Sequence, residues 1–347
     1  MKKIPYERIA PAVNSTLAIV AALVAGGIIL AAIGKNPFVF YGELFKQGMG
    51  TSLGLTETII KMAPLLLMSA GLVVAFSANL WNIGGDGQLL LGAVLVGWLG
   101  PILAPHLSLA SFVVVMALLG IIGGMVWAIL PALLKARYDL NEIILTLMMT
   151  FVAINLTTWL AKGPIRDPTI SYAQTALFPM SHRMPMIPFT RVHIGLIGGL
   201  IAIIGVHWMV KRTTMGYNLR VLGSNRYAAI YAGMNVGWIT IWALLVSGAF
   251  AGLAAVNDIM GIKGQLQGGW NPGYAFTCVP LVFLARMNGW AVIPLAFFFS
   301  FLAVGGEFVA RDLGVPIFFV HLLEGLMLLF FAASEYIEKR RVPHRAE

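Results

Sequence analysis

The sequence predicts an all-α fold, a polytopic transmembrane helical bundle of about ten spans that forms one domain over residues 1–347, with both termini cytoplasmic. Three observations carry this expectation. Of the 347 residues, 59% are hydrophobic and only 11% are charged, against roughly 45–50% and about 25% in an ordinary soluble domain. The charges are spaced so that they bracket apolar runs of about 20 residues, the length needed to cross a bilayer as a helix. The 38 glycines suit helices whose backbones approach closely in lipid. This composition, with a mean hydropathy of +0.87, excludes a soluble enzyme. The single cysteine, Cys278, excludes a disulfide framework and cysteine-based metal sites.

The uncharged runs give the elements in order. They cover 9–34, 62–85, 87–134, 143–161, 192–210, 227–257, 264–285 and 287–306. The 48-residue run 87–134 carries Pro101, Pro105 and His106 near its middle and so reads as two helices and a turn. A last span over about 313–334 contains Glu324 within an otherwise apolar setting, and the sum is ten. The basic start at Lys2, Lys3 and Arg8 precedes an apolar run too long for a cleaved signal core. With an even number of spans both termini share a side. Placing them in the cytoplasm puts 14 of the 23 basic residues inside, 8 outside, and Lys61 near the start of a span. The net charge of +9 then reports orientation and not nucleic-acid binding.

Two connections are long. Residues 163–191 hold five prolines and are expected to form an ordered or semi-rigid external loop. Residues 211–236 form the cytoplasmic one, where Lys211, Arg212, Arg220 and Arg226 stand without an acid among them at 211–226.

Four segments could carry chemistry. The run from Asn79 to Gln88, with Gly84, Gly85 and Gly87 among its polar residues, reads either as a cytoplasmic turn or as a broken helix facing a pathway or a partner subunit. The second reading follows because polar backbone at membrane depth must be buried in protein or line a cavity. Asn82, Asp86 and Gln88, together with Asn155 inside an apolar span, are the candidate substrate-pathway residues. In the second segment, Ser224 or Asn225 can cap a two-turn helix that ends at Gly233, with Tyr227, Ile230, Tyr231 and Met234 on one face. Such a helix lies against its own bundle or the headgroups, or docks a separate soluble protein.

The third group comprises the acids near or within spans: Glu57, Asp139, Glu142, Asp258, Glu307 and Glu324. His321, three residues before Glu324, allows a structural hydrogen-bonded pair or a proton relay. His106, His193 and His207 lie near span ends and read as interfacial. Fourth, the Gly-rich run from Asn257 to Gly273 is an external loop or a re-entrant segment, in which Gln265, Gln267, Trp270 and Asn271 suit a sugar ring. The sequence contains no phosphate-binding GxxxxGK[ST] and no HExxH, so no cofactor or metal is expected.

Taken together, the blocks Asn82-Ile83-Gly84-Gly85-Asp86-Gly87-Gln88, Asn141 to Met149, Gly216 to Gly233, and Gly305-Gly306-Glu307 followed by Leu313-Gly314-Val315-Pro316 resemble those of permease subunits of bacterial ABC importers. The likeness is to the ribose/branched-chain-amino-acid-type superfamily, and within it to the simple-sugar and nucleoside group. Asp86 stands where Glu is usual. The resemblance implies a multi-pass protein of the bacterial inner membrane that works with a pair of cytoplasmic ATP-binding subunits, a second permease subunit, identical or paralogous, and an external solute-binding protein. It implies no enzymatic activity on this chain. It also implies that Asn225, Tyr227, Ala228, Ile230, Tyr231, Gly233 and Met234 form the coupling helix for the ATPase, and that residues 163–191 face the binding protein. The expected function is passage of a nucleoside or simple sugar. An ion-coupled secondary carrier using His321 and Glu324 is the alternative, and a membrane-embedded enzyme has no catalytic constellation to support it.

Overall fold

The computed structural model describes residues 6–316 and 318–341, with side chains over 13–316 and 318–336. Lys2, Lys3 and Arg8, and Lys339, Arg340, Arg341 and Arg345, which belong to the 14 basic residues placed inside, lie outside these described residues or side chains, as does position 317 of the last expected span. Thirteen α-helices follow one another: α1 (Tyr6–Ala32), α2 (Pro37–Phe45), α3 (Ser52–Ser77), α4 (Gly85–Leu103), α5 (Leu109–Tyr138), α6 (Glu142–Lys162), α7 (Gly195–Arg212), α8 (Thr214–Ser224), α9 (Arg226–Tyr231), α10 (Val236–Asp258), α11 (Tyr274–Leu284), α12 (Gly289–Leu313) and α13 (Phe319–Arg341). Short polar residues start many of them. Asn36, Thr51, Ser108, Asn141, Thr213, Asn225, Asn235 and Asn288 each accept a hydrogen bond from an amide of the first turn, which satisfies donors that the helix itself leaves free.

Among the described residues nine helices are long and apolar enough to cross a membrane. The tenth expected span, 264–285, differs. Only its second half is helical, the eleven residues of α11, which reach about 16 Å of a roughly 30 Å hydrocarbon core. Its first half is irregular because Gly264, Gly269 and Gly273 adopt positive φ and Pro272 interrupts the run. The chain still travels from one end of the bundle to the other here. Phe178 N donates to Gly264 O at 2.8 Å beside the 163–191 loop, while Ser15 Oγ of α1 donates to Leu284 O at 2.9 Å. Among the described residues the nine long helices are therefore joined by one discontinuous passage.

The two ends of the bundle can be told apart. At the basic end lie α8, α9 and the α5–α6 corner. Both ends of the described chain are there as well, since Ser15 meets Leu284 and Arg286 of the α11–α12 turn pairs with Glu335 of α13. At the opposite, loop end, residues 163–194 are held by their neighbours: Thr175 N donates to Leu266 O at 2.9 Å and Gly268 N to Ala173 O at 2.7 Å. Phe178 is fully buried, its ring closing on Gly100 and Phe112.

The tightest helix crossing is that of α5 on α10. Gly120 and Gly124 face Gly248 and Gly252, and a Cβ added at Gly252 would strike the Gly120 carbonyl. The two GxxxG pairs let backbones touch, the packing that small residues allow in a membrane. Gly92 of α4 joins the same contact, lying against Gly252.

Candidate functional site

The α3–α4 junction enters the bundle from the basic end. Gly223 of α8 lies against Ser77 and Asn79 there, and Asn79 takes positive φ to turn the chain inward. The loop then descends past α6, with Trp81 N donating to Glu142 Oε1 at 3.4 Å and Ile83 N to Thr146 Oγ1 at 3.2 Å. Three of the four candidate pathway residues come together where it ends. Asn82 and Gln88 exchange amide hydrogen bonds, Nδ2 to Oε1 at 2.9 Å and Nε2 to Oδ1 at 3.1 Å. Asn82 Nδ2 also donates to Ser247 Oγ of α10 at 2.9 Å, and Gly84 N to Asn82 Oδ1 at 3.2 Å. All three side chains are buried, and their polar atoms are spent on one another, as buried polar groups require.

Asp86, in the first turn of α4, reaches across to the discontinuous passage. Its Oδ1 accepts from Ala275 N at 2.9 Å, capping α11, where a carboxylate meets the positive end of the helix dipole. On the same first turn, Tyr274 OH donates to Asp258 Oδ2 of α10 at 2.9 Å. A buried acid on each side thus fixes the start of the half-length helix. Asn155 lies apart from this group. Its side chain is exposed on the outer face of α6 and donates Nδ2 to Phe151 O at 2.8 Å.

At the basic end, α9 is one and a half turns long. Asn225 Oδ1 accepts from Ala228 N at 3.0 Å, and Gly233 takes positive φ at its finish, so it is Asn225 and not Ser224 that caps. Ala229 is buried against the bundle, whereas Tyr227 (75% exposed), Ile230 (53%) and Tyr231 (91%) point away from it. Ala228 is exposed and Met234 half-buried. An apolar surface turned away from its own bundle is what a docking helix offers a partner.

Sequence reasoning did not find the ion pairs behind this helix. Arg226 Nη1 contacts Asp139 Oδ1 at 2.7 Å. Lys135 Nζ lies 2.9 Å from the same oxygen and 3.0 Å from Glu142 Oε2. Glu142 then accepts from Trp81, so a chain of polar contacts links α9 to the α3–α4 junction. Lys135, with Arg226, holds the Asp139 carboxyl below the usual carboxylate range. The acids Asp139 and Glu142 were visible as candidates, but Arg226 lies 87 residues from Asp139, and no local pattern announces that pairing.

His321 Nδ1 lies 3.2 Å from Glu324 Oε2, and the same oxygen accepts from Thr277 Oγ1 of α11 at 2.9 Å. The pair thus forms within α13, and the bond from Thr277 joins α13 to α11. Among the described residues no group of three or more His, Cys, Asp or Glu side chains could hold a metal ion.

Residues 54–332 match the family described as the permease component of the branched-chain amino acid transport system. The chain belongs to this permease family. A glucose ABC transporter permease of Haloferax volcanii is 34% identical over 339 residues, covering 94% of this chain and 88% of the relative. A guanosine ABC transporter permease of Bacillus subtilis is 29% identical over 331 residues, 92% of each chain. A nucleoside ABC transporter permease of Lactococcus lactis subsp. cremoris is 26% identical over 332 residues, 93% of this chain and 91% of the relative. The permease is thus a multi-pass transport subunit without catalysis of its own, associated with separate ATP-binding subunits and a substrate-binding protein. ATP, hydrolysed on another chain, supplies the drive, which decides against the ion-coupled carrier.

Proposed function

We propose that this permease imports a nucleoside or a simple sugar, as one of a pair of permease subunits, identical or paralogous, with its basic end in the cytoplasm of a bacterial cell and its loop end toward an external binding protein. The near full-length likeness to glucose and guanosine permeases is the observation that carries the reading. The asymmetry of the two ends supports the orientation: the acid-free cluster at 211–226 and the exposed α9 share an end, as expected where positive charge stays inside. The tyrosines and Ile230 of α9 dock in the ATPase, and the Arg226–Asp139–Lys135–Glu142 contacts pass its movement to the α3–α4 junction. Asn82, Asp86 and Gln88 hold the wall of the pathway in shape from behind.

Reconstitution in vesicles with the ATP-binding subunits and the binding protein tests this. Uptake of labelled guanosine or glucose is expected to need ATP and to ignore a protonophore; failure to move either solute rejects the assignment. Tyr227→Asp is expected to leave the permease inserted while uptake and co-purification with the ATPase are both lost. Normal coupling in that variant removes α9 from its role.

A further inference from the structure

The Gly-rich passage 264–273 opens onto a cavity that the pathway candidates do not line. At the loop end, between α3, α12 and the start of α11, a chamber of about 490 Å³ continues into a second of about 270 Å³ that shares Lys61, Pro272, Tyr274 and Glu307 as walls. Small-molecule pockets measure roughly 300–1,000 Å³, and the larger chamber falls in that range.

Two independent features mark the chamber as a binding site. First, two of its charges, Lys61 and Glu307, lie well inside helices long and apolar enough to cross a membrane. Lys61 is nine residues into α3, about 13 Å below its start, and Glu307 is six residues before the end of α12. Ionisable groups so placed line water-filled cavities and ligand pathways, because lipid cannot solvate them. Second, the charges balance. Lys61, Lys263 and Arg311 face Glu57, Asp258 and Glu307, with Glu307 2.8 Å from Arg311 and 3.5 Å from Lys61. A ligand with net charge would find as many like charges as opposite ones. A hydroxyl donates to a carboxylate and accepts from an ammonium, so a wall of paired ions suits a neutral ring bearing several hydroxyls. Trp270 supplies an aromatic surface in the same wall, with Lys263 Nζ 5.5 Å from its ring centroid, and Asn271 adds an amide.

We propose that this chamber is the first docking site of the solute on the permease, and that it takes an uncharged, hydroxyl-rich ring, a hexose or the ribose of a nucleoside, handed over by the binding protein. Trp270 stacks on the ring, and Asn271, Lys61 and Glu307 bond its hydroxyls. Gln265 is not part of the site, because its Nε2 donates to Gln174 Oε1 at 2.9 Å and fastens the loop. The inference rests on the function proposed above and names where that function begins.

The test uses the permease–ATPase complex without binding protein, in a Cys278→Ala background. Asn271→Cys and Met180→Cys are modified with a membrane-impermeant thiol reagent in the presence of guanosine, glucose or leucine. Guanosine or glucose is expected to slow modification at Asn271→Cys several-fold and to leave the exposed Met180→Cys unchanged. In parallel, Trp270→Ala in the complete transporter is expected to lower the uptake rate about ten-fold, which corresponds to one lost stacking contact of roughly 1.4 kcal/mol, without changing the affinity for loaded binding protein. Protection by leucine alone overturns the ligand class. Uptake of guanosine or glucose with neither protection nor a Trp270 effect overturns the site and leaves the transport assignment standing. Weaker docking of the binding protein in Trp270→Ala, without protection, also overturns the site and makes the chamber rim a protein contact. Absence of uptake of both solutes overturns the transport assignment and the site with it.

Discussion

At the α3–α4 junction Asn82, Gln88 and Ser247 hydrogen-bond one another out of reach of solvent, whereas the 264–273 passage exposes Asn271 beside an open space that paired charges of other elements line. Both are interruptions of helix at membrane depth, and both are rich in glycine. They differ in what the polar groups face: at the first they close on one another, while the second, tied to the 163–191 loop through Gln265, Leu266 and Gly268, turns Trp270 and Asn271 toward a cavity. The same local signal, glycines among amides, therefore marks a structural knot in one place and an opening in the other. Asp86 joins the two, since it sits in the first turn of α4 and caps α11.

That connection gives the largest expected effect. Asp86→Leu leaves the Ala275 amide without an acceptor in a buried setting, a loss of about 1–3 kcal/mol, and is expected to lower the thermal midpoint in detergent and to abolish uptake. An unchanged midpoint would mean that the two breaks are mechanically separate. Next, Asn82→Ala and Gln88→Ala are each expected to cost about 1–3 kcal/mol, with the double variant costing clearly less than the sum because both remove the same reciprocal pair. Additive losses in equilibrium unfolding would contradict a closed knot.

A smaller effect belongs to the ion pairs that reach the sealed junction from α9. Asp139→Arg is expected to cut ATP-driven uptake several-fold while altering stability by less than about 1 kcal/mol, as for exposed pairs generally. Arg226→Asp in the same chain is expected to restore much of the uptake. No recovery would mean that the contact does not transmit movement.

The smallest expected effect lies at the loop end. Burial holds the His193 imidazole below the ordinary histidine range. An unfolded histidine takes up its proton near pH 6.5, so below that pH the unfolded chain binds more protons and stability falls. The contribution is complete above about pH 6.5 and is lost on acidification, and His193→Gln is expected to flatten the midpoint between pH 7 and pH 5.5. An equal slope in both proteins would remove His193 as the cause.

Much of the architecture follows from charge spacing, because lipid penalises charge almost everywhere along a helix. The exceptions are places where a cavity relieves that penalty. Lys61 marks a span boundary by that rule, yet α3 begins nine residues earlier at Ser52, since Lys61 faces the chamber and pairs with Glu307. The run 264–285 is uncharged, but absence of charge does not distinguish helix from extended chain; Gly264, Gly269, Pro272 and Gly273 do. Asn155 shows the limit of residue type as a guide. It shares the outer face of α6 with Phe151 and Trp159, four residues to either side, and that spacing is readable, although which face looks inward is set by partners elsewhere in the chain. Helix α9 was legible as a short helix because its caps are local: Asn225 at one end and Gly233 at the other. The glycine pairs at 120 and 124 and at 248 and 252 carry their own signal, a repeat of small residues four apart.

Those glycine pairs have a mechanical consequence. Where α5 and α10 meet, glycine backbones lie against one another, with the Val256 and Ala128 side chains closing on Gly120 and Gly248, so few rotamers are left through which the contact could slip into a second arrangement. Interfaces that switch during transport need two stable packings, and backbone-to-backbone contact offers fewer alternatives than long side chains do. We therefore expect the α5–α10 crossing to keep its packing during transport, and the parts that side chains hold, the short α9 on its ion pairs and the half-length α11 between its two acids, to move.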